Sequence, residues 1–307
     1  MAEEKQNSNM VSVAVITYNS SKTILETLDS IKAQTYQNLE LIVSDDCSVD
    51  NTVELCRNWI EQNRNRFART QIIVSEHNTG IAGNLNRGED ACTGKWVKSI
   101  AGDDKLMPSC LEDCVKYMQA HNDAVYLFGK VKAFGASPEK CAHYERLFKA
   151  SFFQMTLEEQ LNQLIFDGNE VPASTCFYDR EKALKIGVRN DERMPFLEDW
   201  PKWINLLRKG VKFHYIDSYL VEYRLEGIST TSKMQSPNFH RSERTFFYLY
   251  QFPERYAKDP KGTINSILND EECKVYDTYY TLYNSKAYRL GKAIMRPFSY
   301  VKSLLMK

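Results

Sequence analysis

The chain has 307 residues, which at roughly 150 residues per domain allows one large domain or a core with an appended part. Its 40 Lys and Arg balance 40 Asp and Glu, and a zero net charge excludes a general nucleic-acid binder, which needs a basic excess to neutralise phosphates. With 43% hydrophobic and 26% charged residues, the composition is that of a folded globular protein rather than a disordered or collagenous chain.

The opening MAEEKQNSNM is polar and mixed in charge, without the basic and then apolar order of a secretory signal. No window approaches the roughly 18 apolar residues of a spanning helix, so a cytoplasmic protein is expected, with residues 1–10 as a disordered tail. Val11 to Tyr18 reads as the first strand. Ile24, Leu28 and Ile31 then fall at i, i+4 and i+7, predicting a helix capped by Ser20 or Ser21 and running to about Gln34. Leu39 to Ser44 is the second strand, and Val53, Cys56 and Ile60 mark the second helix. A third strand from Thr70 to Glu76 precedes a helix rich in small residues from Ile81 to Ala91. Strand Lys95 to Ile100, a helix with Leu111, Val115 and Met118 on one face, and strand Ala124 to Gly129 complete this half. Strand and helix periodicities in alternation predict an α/β fold, a doubly wound, mostly parallel, Rossmann-like sheet over residues 11–130.

Regular alternation stops there. Residues 131–232 form a second half, with an irregular segment holding one helix between Lys132 and Asn169 and a strand near Ala173 to Tyr178. A helical stripe of Trp200, Trp203, Ile204 and Leu207 and a strand from Val211 to Ile216 follow. Residues 233–307 read as a polar helical extension, within which Phe246, Phe247, Tyr248 and Tyr250 are expected to be packing residues. Its end, 286–307, is a basic amphipathic stretch from Lys286 to Lys307 without an acidic residue, kinked at Pro297. Such a stretch suits peripheral contact with an anionic membrane; a solvated tail or a contact in a homo-oligomer are the competing readings. The eight cysteines form no C-x-x-C pair and have no His at zinc-finger spacing, so they read as idle thiols in a reducing compartment.

In an open parallel sheet, ligands bind beyond the carboxyl ends of the strands. Thr17, Tyr18 and Asn19 follow the first strand, Asp45 and Asp46 the second, His77, Asn78 and Gly80 the third, and Gly102, Asp103 and Asp104 the fourth. Each group alone could cap a helix or make a turn; their convergence on one edge points to a site. Adjacent carboxylates such as Asp103 and Asp104 repel unless a cation or a donor-rich ligand shares them, and hard oxygen ligands suit Mg²⁺ or Mn²⁺. Neither the phosphate-loop pattern nor G-x-G-x-x-G is present, which removes the main support for an NTPase or a dehydrogenase.

Taken together, SVAVITYN, IVSDDCSVDNT, HNTGIAGNLNRG, TGKWVKSIAGDD and FLEDW resemble the motif series of family 2 glycosyltransferases of the GT-A fold, over about Val11 to Ser229. The resemblance implies an inverting, metal-dependent transfer of a sugar from a UDP-sugar to a glycan or polyprenyl-linked acceptor, in surface polysaccharide synthesis at the inner face of the cytoplasmic membrane. It places Thr17, Tyr18 and Asn19 against the base and ribose, and Asp45 and Asp46 as acceptors of a base N–H. Asn78 and Gly80, with Asn86 and Gly88, would pack under the nucleoside, Asp103 would face the ribose, and Asp104 would hold Mn²⁺ or Mg²⁺. Asp199 becomes the general base and Glu198 its neighbour that orients it or touches the donor sugar, although a helix N-terminus favours the ionised and so weaker form of a carboxylate base. Ser174 and Thr175 fall on the acceptor side.

Several positions depart from the family pattern. Ala101 stands where a further metal-motif carboxylate is frequent, Leu85 where an Arg is common, and Glu226 where a His often follows Tyr-Arg. Arg224 remains as a cation for the diphosphate. Two other readings compete, a nucleotidyltransferase, which would prefer a basic Gly-rich loop after the first strand, and a nucleotide-binding scaffold that has lost turnover.

Overall fold

The computed structural model describes residues 9–225, 242–243 and 245–262. β1 (Val11–Thr17) is central, paired in parallel with β2 (Leu39–Asp45) and β4 (Trp96–Ala101), and β3 (Arg69–Val74) extends the sheet beyond β2. Both faces of β1 are covered, which is why it reads as an unbroken apolar run. Val11, Val13 and Val15 enter one core with Ile24, Leu28 and Ile31, and Ala14 enters a second core with Ile42 and Val97. The crossover helices are α1 (Ile24–Lys32), α2 (Thr52–Asn63) and α3 (Gly80–Asp90), with α4 (Cys110–Ala120) after β4. Register sets the site, because Thr17 lies opposite Asp45 and Ile16 opposite Ala101, so these strands end level and their loops open on one edge.

The second half is not a simple continuation. β6 (Tyr126–Phe134) is separated from β4 by β7 (Phe177–Asp179), which runs antiparallel to both, and β8 (Phe213–Arg224) lies parallel to β6. A two-residue β5 (Lys105–Leu106) pairs antiparallel with β8, so among the described residues the sheet has eight strands in the order β3-β2-β1-β4-β7-β6-β8-β5. This is an α/β fold with a mixed, mostly parallel sheet.

Several local expectations are corrected. The strand expected from Ala173 is first a 3₁₀ turn, Ala173–Thr175, closed by the Thr175 hydroxyl donating to the Pro172 carbonyl at 2.8 Å. α1 begins at Ile24 rather than at a serine cap, because the Ser20 and Ser21 amides donate to Thr52 Oγ1 and an Asp50 carboxylate oxygen. β6 continues past Gly129 through the alternation of Lys130, Val131, Lys132 and Ala133. The segment taken as irregular holds α5 (Pro138–Glu145) and α6 (Leu157–Asn162), the latter started by a capping box between Thr156 and Glu159. α7 (Arg180–Ile186) follows β7, and α8 (Asp199–Arg208) buries Trp203, Ile204, Leu206 and Leu207. Phe246 and Tyr250 are buried, whereas Tyr248 is exposed.

The chain divides after Gln251 into two compact units; of the second, the helix α9 (Phe252–Lys258) is described. Glu226 and the 286–307 stretch lie outside the described residues. Among the described residues the cysteines are free thiols, and no helix is long and apolar enough to cross a membrane. Phe128, fully buried, touches Phe153, Trp203 and Phe213 with ring centroids 5.1 to 5.5 Å apart, joining β6, β8 and α8. Phe128→Ala is expected to cost about 3–5 kcal/mol in chemical denaturation.

Candidate active site

At the level edge of the sheet lies a cavity of about 640 Å³. Tyr18, Asp46, Asn78 and Gly80 line it, with Thr17 at the end of β1, and so do Asp103, Asp104, Ser174, Glu198 and Asp199. Asn19, Asp45, Asn86, Thr175 and Arg224 are not on its surface.

The loops at this edge are braced from within. Asp45, buried, accepts from Thr17 Oγ1 at 2.7 Å and from the Ser48 amide at 2.8 Å. Asp46 accepts from the Thr79 and Gly80 amides, from Thr79 Oγ1 and from Arg87 at 2.8 Å. Both carboxylates expected to read a base therefore hold the loops in this structure. Asn19, at φ +52°, accepts from the Val49 amide, and Asn86 donates to the Asn190 carbonyl and to Glu192. These side chains fix the turns instead of facing the cavity. Asn78 accepts from the Gly80 amide at 3.1 Å. Gly80 sits at φ +78°, and a Cβ there would lie 2.4 Å from the Cβ of Pro195, so close approach requires glycine.

Arg87 was invisible to motif reasoning. Leu85 removes one cation, but two residues later Arg87 pairs with Asp46. No local spacing links positions 46 and 87; only the packing of α3 against β1 and β2 does.

Asp104 is 2% exposed and accepts from the Arg224 amide at 2.9 Å. Burial, reinforced by the adjacent Asp103, pushes its carboxyl well above the usual range. Its hard oxygens, with Asp103 beside them, fit Mg²⁺ or Mn²⁺. Among the described residues no group of three or more His, Cys, Asp or Glu could hold a metal ion, so the remaining ligands would have to come from elsewhere, as with phosphate-bound Mg²⁺. The Arg224 guanidinium, expected at the diphosphate, donates to the Asp103 carbonyl at 3.0 Å and to Glu26 at 2.6 Å, and stacks over Phe134. It ties β8 to the loop that carries Asp103 and Asp104.

Glu198 precedes α8 and Asp199 is its first residue. Asn169 donates to Asp199 Oδ2 at 2.8 Å, and its own carbonyl oxygen accepts from the Val171 amide at 3.0 Å. Asn169 lies in the segment whose order the sequence did not reveal. Trp200, whose indole N–H donates to the Leu164 carbonyl at 2.8 Å, anchors the helix start. Burial raises Asp199 against the pull of the Trp200 amide and Asn169, so the helix N-terminus does not prevail. Burial and then Asp199 push Glu198 up to about 8. Part of the lining is aromatic, with the Tyr144 ring of α5 stacked 4.7 Å from Tyr223. Thr175 is fully buried and donates its hydroxyl to Pro172, which leaves Ser174 as the member of that pair on the cavity.

Residues 12–187 match the family model described as glycosyl transferase family 2. The chain belongs to this family. It is 26% identical over 248 residues to the putative teichuronic acid biosynthesis glycosyltransferase TuaG of Bacillus subtilis, covering 80% of this chain and 89% of that protein. It is 25% identical over 236 residues to WfaP of Escherichia coli, a UDP-Glc:alpha-D-GlcNAc-diphosphoundecaprenol beta-1,3-glucosyltransferase, covering 73% and 80% of the two chains. The mannosyltransferase PcManGT of Pyrobaculum calidifontis, solved with GDP-Man and Mn²⁺, superposes with a TM-score of 0.54 at 18% identity, over 94% of this chain and 87% of that one. That likeness places the fold in the GT-A type, and this family 2 member is a glycosyltransferase.

The Glu198 shift carries a stability signature. Its carboxyl keeps a proton up to about pH 8 in the folded chain but releases it near 4.5 when unfolded. The folded state therefore binds more protons between those values, and stability falls as pH rises through this window. Glu198→Gln is expected to flatten that decline in melting temperature measured from pH 5 to 8.

Proposed function

We propose that this glycosyltransferase moves a sugar from a UDP-sugar to a hydroxyl of a glycan or polyprenyl-linked acceptor, with inversion, in the synthesis of a surface polysaccharide. The observation that carries this reading is that Asp104 and Asp199 line one cavity together with Tyr18, Asn78 and Gly80. A displacement at an anomeric carbon needs a group that takes the proton of the attacking hydroxyl and a counter-charge for the departing diphosphate. Asp199 suits the first task, since its raised pKa strengthens it as a base and Asn169 fixes its carboxylate. A Mn²⁺ or Mg²⁺ held by Asp104, with Asp103 alongside, would supply the second. Attack from the side of Asp199, opposite the diphosphate, gives a single displacement and an inverted centre. Glu198, carrying its proton below about pH 8, can donate a hydrogen bond to the donor sugar.

The UDP assignment is supported by the name of WfaP, and the lipid-linked acceptor by the same name; the polysaccharide setting is supported by TuaG. Such acceptors reside at the inner face of the cytoplasmic membrane, where the basic 286–307 stretch would have a use. A GDP-sugar is the second reading, favoured by PcManGT and by the internal engagement of Asp45 and Asp46, which leaves the choice of base to other groups. Thermal stabilisation across UDP, GDP, CMP and dTDP, each with and without Mn²⁺, separates them by mass action. The expected result is a shift that is largest for UDP with Mn²⁺, abolished in its metal dependence by Asp104→Ala and retained by Asp199→Asn. A GDP-specific shift would move the donor to the second reading, and no shift with any nucleotide would remove the assignment.

A further inference from the structure

Lys202 and Glu89 line the same cavity, and none of the roles above uses them. α8 places Lys202 one turn after Glu198 on the same face, and α3 brings Glu89 to meet it. Lys202 is 5% exposed, and its Nζ lies 3.5 Å from Glu89 Oε2, at the outer limit of a hydrogen bond. The Tyr178 and Trp203 rings flank it at 5.7 and 5.9 Å. Glu89 Oε1 accepts from Ser99 Oγ at 3.1 Å, which ties the pair to β4 just before Asp103. An ammonium carries three donors, and the one side-chain hydrogen bond of Lys202 is the long one to Glu89, so it keeps donor capacity for a ligand oxygen.

This placement, taken with the proposed function, assigns the pair a substrate. On the proposed function the transferred sugar occupies this cavity, which Lys202 and Glu89 line together with Asp104 and Asp199. We propose that Lys202 and Glu89 read hydroxyl groups of the transferred sugar, and that this sugar is uncharged. The ammonium donates to one sugar oxygen while the carboxylate accepts from a neighbouring O–H, a match for adjacent hydroxyls. Charge excludes the alternative of a carboxylated sugar. Among the described residues lining the cavity, Lys202 is the one basic side chain, against Asp46, Glu89, Asp103, Asp104, Glu198 and Asp199. A uronate in this cavity would compete with Glu89 for the one ammonium, and the other acidic groups of the lining offer it no counter-charge.

The test is calorimetric binding, with Mn²⁺, of UDP, UDP-glucose, UDP-galactose, UDP-N-acetylglucosamine and UDP-glucuronate to the full chain and to Lys202→Met and Glu89→Gln. The wild type is expected to bind one neutral UDP-sugar more tightly than UDP, and UDP-glucuronate more weakly. Each variant should lose roughly tenfold in affinity for that neutral sugar while UDP binding stays unchanged, Glu89→Gln doing so with the side-chain shape retained. Variants that bind every ligand as the wild type does, or that lose UDP and UDP-sugar in parallel, would show an ion pair that is structural and overturn the assignment. Tightest binding of UDP-glucuronate would overturn the uncharged class. Failure of the wild type to bind UDP at all would instead overturn the proposed function, and the role of the pair with it.

Discussion

Crowded negative charge is the constraint on which this site depends. Six carboxyl groups line one cavity of about 640 Å³, with a single ammonium among the described lining residues, and like charges this close cannot all ionise without compensation. The protein meets the problem by three physical routes. Asp46 is neutralised from behind by Arg87 and by backbone amides. Glu89 faces Lys202 and Ser99. Asp104, Glu198 and Asp199 are pushed towards their protonated forms by burial.

The fold makes that crowding achievable because the register of β1, β2 and β4 ends the strands level, so loops far apart in sequence meet at one edge. The second half then supplies Ser174, Glu198 and Asp199. β7, antiparallel between β4 and β6, and β8, whose Arg224 amide donates to Asp104, bind the two halves through the site itself. Arg224 thereby holds the Asp103–Asp104 loop and pairs with Glu26 of α1, a structural use for a cation that motif reasoning assigns to phosphate.

Much of the nucleotide half was legible in the sequence, because Val11–Thr17 and Leu39–Asp45 are apolar on both faces and the helices between them carry clear stripes. The acidic groups were also legible as types, since Asp103, Asp104, Glu198 and Asp199 stand at element ends. What was hidden is partnership. Asp45 and Asp46 look the same in sequence whether they face a base or a loop, and only the three-dimensional approach of Ser48, Thr79 and Arg87 decides it. The segment containing α5 and α6 was hard for another reason. Its helices are short and weakly amphipathic, so the Thr156–Glu159 capping box was the sole strong local signal, and the contact that matters, Asn169 to Asp199, comes from the irregular chain after it.

The central claim is that Asp104 and Asp199 act on one nucleotide sugar bound in the cavity they share. UDP release from a UDP-sugar without any acceptor, followed over time with Mn²⁺, tests it most directly, because water can take the place of the acceptor hydroxyl. The account predicts slow release by the wild type, its loss in both Asp104→Ala and Asp199→Asn, and retained UDP binding in Asp199→Asn alone. Undiminished release by Asp199→Asn, in a variant that binds UDP as the wild type does, would contradict it.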